Sequence, residues 1–235
     1  MTGLTLPPLF TAEASGEPFA DACARAGAGC DAGLVLHDLA LERLRAALVL
    51  APDVPLARAM TMLPLCAVGF QNALGALAPP EVSVHLDWDG GLRVNGGRAG
   101  ALRIAAATRD PDAVPDWLVI GLTLDLWPGP HEGGETPDTT ALYAEGCVDV
   151  APDILIEAWI RHTLVWLNRW EDEGNAPLHR EWAGFAHVIG AGIDVAGEHG
   201  TFTGLDENFA LLLKQGDATR AIPLGALLTD PKDPT

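Results

Sequence analysis

Residues 87–103 read DWDGGLRVNGGRAGALR. Two arms of alternating apolar residues flank a turn of Asn95, Gly96 and Gly97, the composition of a β-hairpin. Alternation puts Leu92 and Val94 on one face and Arg93 and Asn95 on the other. Arg93, Arg98 and Arg103 are therefore candidate anion contacts, because a guanidinium grips a carboxylate or phosphate through two parallel N–H donors. The plainer reading is a solvated sheet face. Asp87 and Asp89 flank Trp88 and share a face, either as a cation site or as the charged entry to a turn. The arginines stand out because no lysine occurs before Lys214.

Working outward, Val82–Leu86 leads into the hairpin and Trp117–Leu126 reads as a central strand. Gly33–Leu36 and Leu44–Leu50 are short buried strands. Leu6–Glu13 is an extended lead-in, and Pro18–Ala28 is a helix opening on an acid and a proline. Pro55–Leu77 is apolar all round, as in a largely buried helix, with a kink expected at Pro64. Pro152–Glu173 is a second long helix, closed by Gly174. Pro128–Thr139, rich in proline and glycine, is a surface loop or a lid. His187–Leu228 turns to short strands and glycines, a small barrel, and Asp230–Thr235 is a polar tail. The expected fold class is α+β: a mixed sheet with helices over residues 1–184, then a small SH3-like β-barrel over 185–235.

The composition narrows the function. The 235 residues are 49% hydrophobic and carry a net charge of −18. Such a field repels nucleic acid and anionic membranes. No charge-free apolar run reaches the length of a membrane span, and no secretory leader is visible, so a cytoplasmic location is expected. Cys23, Cys30, Cys66 and Cys147 contain no CxxC pair. His37 and His85 end strands near the hairpin, but no metal-ligand spacing accompanies them, so no metal site is expected. His162 and the helically spaced Trp159, Trp166 and Trp170 read as core.

The hairpin resembles the signature segment of the biotin/lipoate protein ligase family, WPNDLLVNGKKLAGIL, through Trp88, Leu92, Val94-Asn95-Gly96, Gly100 and Leu102. Leu118–Asp125 resembles its VIGIGINV strand, Glu135–Leu142 its P…ATSL segment, and Ala158–Gly174 the helix closing its catalytic domain. Gly200–Asp206 and Ala210–Leu213 resemble its small C-terminal domain. The ligand motifs differ. STN is replaced by Ser15-Gly16-Glu17-Pro18, the glycine-rich adenylate loop by His37–Arg43, WPND by Trp88-Asp89-Gly90-Gly91, and the asparagine of GIGIN by Asp125. Gly97 or Arg98 stands at the hairpin lysine, depending on a one-residue gap.

The resemblance implies ATP and biotin or lipoate as substrates and a biotinyl or lipoyl carrier protein as partner. It assigns Arg98 to catalysis, and Trp88, Arg93, Asn95, Gly97, Gly100, Gly121 and Asp125 to binding the small carboxylic acid or the nucleotide. Cys147 is a further candidate, as an acyl acceptor of the kind some octanoyltransferases use. Lost cations and glycines matter because acid adenylation depends on positioning and on donors aimed at phosphate. Removal of one such donor costs on the order of 10²–10³ in rate. The alternative expectation is a non-catalytic relative that binds a small molecule or docks a carrier protein.

Overall fold

The computed structural model describes residues 3–128, 138–195 and 197–230. In chain order the first strands and helix are β1 (Thr11–Ala14), α1 (Pro18–Gly27), β2 (Leu34–Leu39) and β3 (Arg43–Leu50). Then come α2 (Leu56–Ala59), α3 (Met62–Leu77), β4 (Val84–Leu86), β5 (Gly91–Val94), β6 (Gly97–Ala106) and β7 (Leu118–Asp125). The long helix α4 (Pro152–Glu173) and α5 (Asn175–Phe185) follow. The chain ends in β8 (Gly192–Val195), β9 (Glu198–Leu205), β10 (Leu211–Gln215) and β11 (Ala218–Ile222).

Seven strands form one mixed sheet in the order β1-β2-β3-β7-β6-β5-β4, and the last four form a separate antiparallel sheet, β11-β10-β9-β8. This is the expected α+β arrangement, and the four-stranded sheet stands where the small C-terminal barrel was read. Only β1 runs parallel to its neighbour in the large sheet.

Alternation along the strands divides the large sheet into two faces with different tasks. Leu44, Ala46 and Leu48 of β3, Leu118 to Leu124 at even positions of β7, and Leu102 and Ile104 of β6 pack in one core cluster with α3 and α4. The odd-numbered side chains of β3 and β7 point the other way. Ala47, Val49 and Val119 join Phe19, Ala22 and Cys23 of α1 in a small second cluster. Helix α1 covers only part of that face, and the rest carries charge.

The apolar stretch after Pro55 is two helices rather than one. The chain breaks at Met60 and Thr61, ahead of Pro64. Pro64 is then the third residue of α3, in the turn whose N–H groups lack helical partners in any case, so its missing donor costs little. The break lets Leu56 and Met62 both point inward. Helix α4 begins and ends as read from the sequence, with proline in its first turn. Helix α5, which the sequence reading missed, follows after a single glycine, Gly174, whose φ of 73° needs no Cβ.

The hairpin turn is Asn95-Gly96, with φ of 50° and 92° between the paired residues Val94 and Gly97. Two central residues of positive φ define the two-residue turn that matches strand twist.

Helices α3 and α4 approach closely at Gly69. A Cβ there would lie 2.7 Å from Oγ1 and 3.0 Å from the backbone N of Thr163. Gly69→Ala is expected to destabilise the fold by about 1–3 kcal/mol through overpacking. Gly184→Ala on α5 meets nothing within 4 Å and should be neutral or stabilising by up to about 1 kcal/mol. Urea unfolding of both variants measures the contrast.

Candidate functional site

The partly covered face of the sheet carries the charged residues of the hairpin, β3 and β7. Register fixes their neighbours: Arg43 lies opposite Asp125, Arg45 opposite Thr123, Arg103 opposite Gly121 and Ala101 opposite Thr123. Across β5, the Arg98 guanidinium lies over Gly91, where a Cβ would come within 2.9 Å of its Cζ. Arg98 and Arg93 are paired across the hairpin, with a register shift beside them. Thus Arg93, Arg98 and Arg103, separate in sequence, belong to one charged band.

Each of these cations is engaged. Arg43 Nε donates to Asp125 at 2.6 Å. Arg45 donates to Asp38 at 2.6 Å, to Glu17 at 3.3 Å and to the Gly16 carbonyl. Arg93 Nε reaches both oxygens of Asp87 at 2.8 and 2.9 Å, while its Nη1 donates to the Gly96 carbonyl. Arg98 Nη1 donates to Asp89 at 2.9 Å and lies 3.8 Å from Asp87. The Arg103 guanidinium stacks on the Phe19 ring, 3.8 Å from its centroid.

The expected binding positions are placed as follows. The Trp88 indole is buried, and its N–H donates to the Phe209 carbonyl at 2.8 Å, tying the hairpin to the C-terminal sheet. Asn95 bridges Ser83 and Glu145. A Cβ on Gly97 would meet the Thr140 side chain, and one on Gly100 would collide with the Thr123 carbonyl. At Gly121 a Cβ would stand 2.5 Å from the Phe19 ring. That ring closes the space beside Arg45, Arg103 and Thr123, leaving a gap of about 10 Å³. The segment carrying Thr140 runs along the hairpin: Arg98 N–H donates to the Asp138 carbonyl, and Thr140 N–H to that of Arg98. Most of the Pro128–Thr139 loop lies outside the described residues.

Sequence reasoning missed Phe19, Asp38 and His187. Phe19 follows the altered Ser15-Gly16-Glu17-Pro18 motif, and a helix-starting aromatic gives no sign of which strand it will cover. His187 lies beyond α5, 3.4 Å from Asp87, and its backbone N–H donates to the Leu86 carbonyl.

Cys147 is fully buried. Burial raises its thiol pKa, and Glu145 and Glu81 add to the effect, so the thiolate that acyl transfer requires is disfavoured. Among the described residues no group of His, Cys, Asp and Glu is placed to hold a metal ion.

Residues 6–184 match the Biotin/lipoate A/B protein ligase family, and residues 189–230 match a domain of unknown function (DUF4444). The chain belongs to the biotin/lipoate A/B protein ligase family. It is 27% identical over 185 residues to a biotin–[acetyl-CoA-carboxylase] ligase of Paracoccus denitrificans, covering 75% of each chain. It superposes on a biotin protein ligase-like protein of unknown function from Silicibacter sp. TM1040 with a TM-score of 0.92 and 59% identity, covering 97% of this chain and all of the other. Biotin protein ligase from Aquifex aeolicus shares the fold, with a TM-score of 0.73, 14% identity and coverage of 92% and 97%. That ligase has also been solved with biotin and ATP.

Asp87 is the most heavily used carboxylate of the band, its side chain only 13% exposed. Asp87→Asn removes the charge that Arg93 Nε meets and should cost about 1–3 kcal/mol, the range for a hydrogen bond to a charged group. Chemical denaturation measures the loss.

Histidine titration should add a pH dependence. His37, His162 and His187 are each held below the ordinary histidine value, first by burial. Arg161 adds to this at His162, and Arg93 and His85 add to it at His187, where Asp87 opposes. Asp38 opposes it at His37. The unfolded chain therefore takes up protons near pH ~6.5 that the folded chain refuses, so this stability is complete above that pH and falls away below it. The urea midpoint should drop between about pH 7 and about pH 5.5, with a shallower drop in His187→Gln. An unchanged slope in the variant would remove His187 from the account.

Proposed function

We propose a ligase-type function in which this chain takes up a biotin- or lipoate-like carboxylic acid, free or as its adenylate, on the α1 face. The acid's carboxyl carbon is then presented to a lysine of a carrier protein. The observation that carries this reading is Arg98. Its guanidinium lies over Gly91 and is about one third exposed, at the hairpin position nearest the family's lysine. The bond formed is an amide between the acyl carbon and lysine Nζ. The leaving group departs with its electron pair, and the amine proton passes to water. Arg98 would hold the leaving phosphate or the carboxylate after exchanging Asp89 for the ligand. ATP enters as co-substrate when the acid is activated in place.

A second reading is a non-catalytic relative that keeps a binding or carrier-docking surface. It is favoured by the Phe19 ring over Gly121 and by the carboxylates that already occupy Arg43, Arg45, Arg93 and Arg98. A phosphate would have to displace those carboxylates while facing Asp87, Asp89 and Asp125.

Thermal-shift titration with biotin, lipoate, their adenylates and ATP separates the two readings. A true ligand at a hundredfold excess over Kd stabilises by about 2.7 kcal/mol. The ligase reading expects a response to an acid or its adenylate, and amide formation on a carrier-protein lysine with the adenylate supplied. Arg98→Ala should weaken the adenylate response more than the free-acid response. Silence toward every acid and adenylate, with a response to the carrier protein alone, would leave the docking reading in its place.

A further inference from the structure

A second cavity lies away from the charged band, on the opposite face of the sheet and at the other end of its strands. It has a volume of about 300 Å³ and opens between the Leu50 end of β3, the start of α3 and the last turns of α4. That volume is at the lower end of the range for small-molecule pockets. Its walls are mainly Phe10, Leu50, Val54, Met62, Leu167 and the indole of Trp170. The recess is open to solvent on one side and apolar on the other, the general form of a small-molecule pocket.

Two features of the mouth point to a ligand. The first is charge. Asp53 and Glu171 are the only ionisable residues of the wall, and both are exposed. The Trp170 indole N–H is already given to Asn175. One cation, Arg58, sits over the Trp170 ring at 4.9 Å, but it is not a wall residue. The wall side chains thus provide carboxylates and no donor for an acid.

The second feature is an apolar side chain free to move at the rim. Leu9 is 92% exposed and lies in a turn closed by the Phe10 N–H on the Pro7 carbonyl at 3.1 Å. The turn packs closely on Gly33, where a Cβ would stand 2.5 Å from the Leu9 carbonyl oxygen.

We propose that this cavity binds a small amphiphile with a hydrocarbon chain and a protonated amine head. The chain lies against Met62, Leu167 and Trp170, the ammonium meets Asp53 and Glu171, and Leu9 folds onto the chain. The site is independent of the ligase-type reading.

The test is calorimetric titration of the full-length chain, and only binding that Ala59→Phe removes is assigned to this cavity. The probes are hexylamine, hexanoate and ethylamine, at a salt concentration of about 0.15 M, where attraction to the net charge is largely screened. Hexylamine should bind, and hexanoate and ethylamine should not. Asp53→Asn with Glu171→Gln should weaken hexylamine by roughly tenfold, and Ala59→Phe, which fills the cavity, should abolish its binding. The exposed double variant keeps the test decisive if Ala59→Phe does not fold. Absence of hexylamine binding, equal binding of hexanoate or ethylamine, or unchanged affinity in the double variant would overturn the proposal.

Discussion

The Asp87 carboxylate sits where three parts of the molecule meet. It receives Arg93 from β5, approaches Arg98 from β6 and lies beside His187, where the chain leaves α5 for the C-terminal sheet. Next to it, the Trp88 indole donates to the Phe209 carbonyl. The same two residues that open the hairpin therefore fix its cations and dock the second sheet. A carboxylate only 13% exposed is served by several partners at once, which is what this junction supplies. Its neighbours in turn are tied in place: Arg93 cannot swing toward a ligand without giving up its contacts to both Asp87 oxygens.

That constraint spreads along the α1 face. Arg43 with Asp125, Arg45 with Asp38, and Arg98 with Asp89 repeat the pattern, each cation on one strand answered by a carboxylate on a neighbouring strand or turn. Pairs this exposed contribute little to stability one at a time. Their effect on binding is larger, because an anionic ligand must first compete with a carboxylate already in place. An acid with one charge has a lower barrier to entry than a nucleotide with several. On the ligase-type reading proposed above, this favours an acid or a preformed adenylate over assembly of both substrates on the face.

The fold was legible because its determinants repeat. Alternation in β3, β6 and β7, the Asn95-Gly96 turn and the capped helix α4 each restate a local rule, and their order across the chain repeats a family pattern. Helix α5 was not legible: residues 175–185 are few, contain Pro177 and Gly184, and start after one glycine. The break at Met60 and Thr61 also escaped, since an uninterrupted apolar run gives no sign that its first turn will tilt to bury Leu56. The candidate site was half visible. Arg93, Arg98, Asp87 and Asp89 could be placed on one hairpin by strand period, but their mutual neutralisation could not. Pairing depends on side-chain reach and on register shifts such as the one beside Arg93, which composition does not encode. Phe19 over Gly121 is a tertiary contact between residues about a hundred positions apart and left no local trace.

The division of the sheet separates the residues that hold the fold from the residues of the charged face. Period two sends alternate residues of β3 and β7 to opposite faces, so Leu44, Leu48, Ile120 and Leu122 hold the core against α3 and α4 whatever stands at Arg43, Arg45, Thr123 and Asp125. Substitution at the charged positions of the α1 face costs little packing, and Phe19 supplies apolar cover over Gly121. The apolar cavity near Trp170 is a solvent-open recess on the helix-packed side, rimmed by the exposed Leu9. Its shape and its carboxylates can therefore change without disturbing the ion pairs of the charged face, and the two faces can be probed separately.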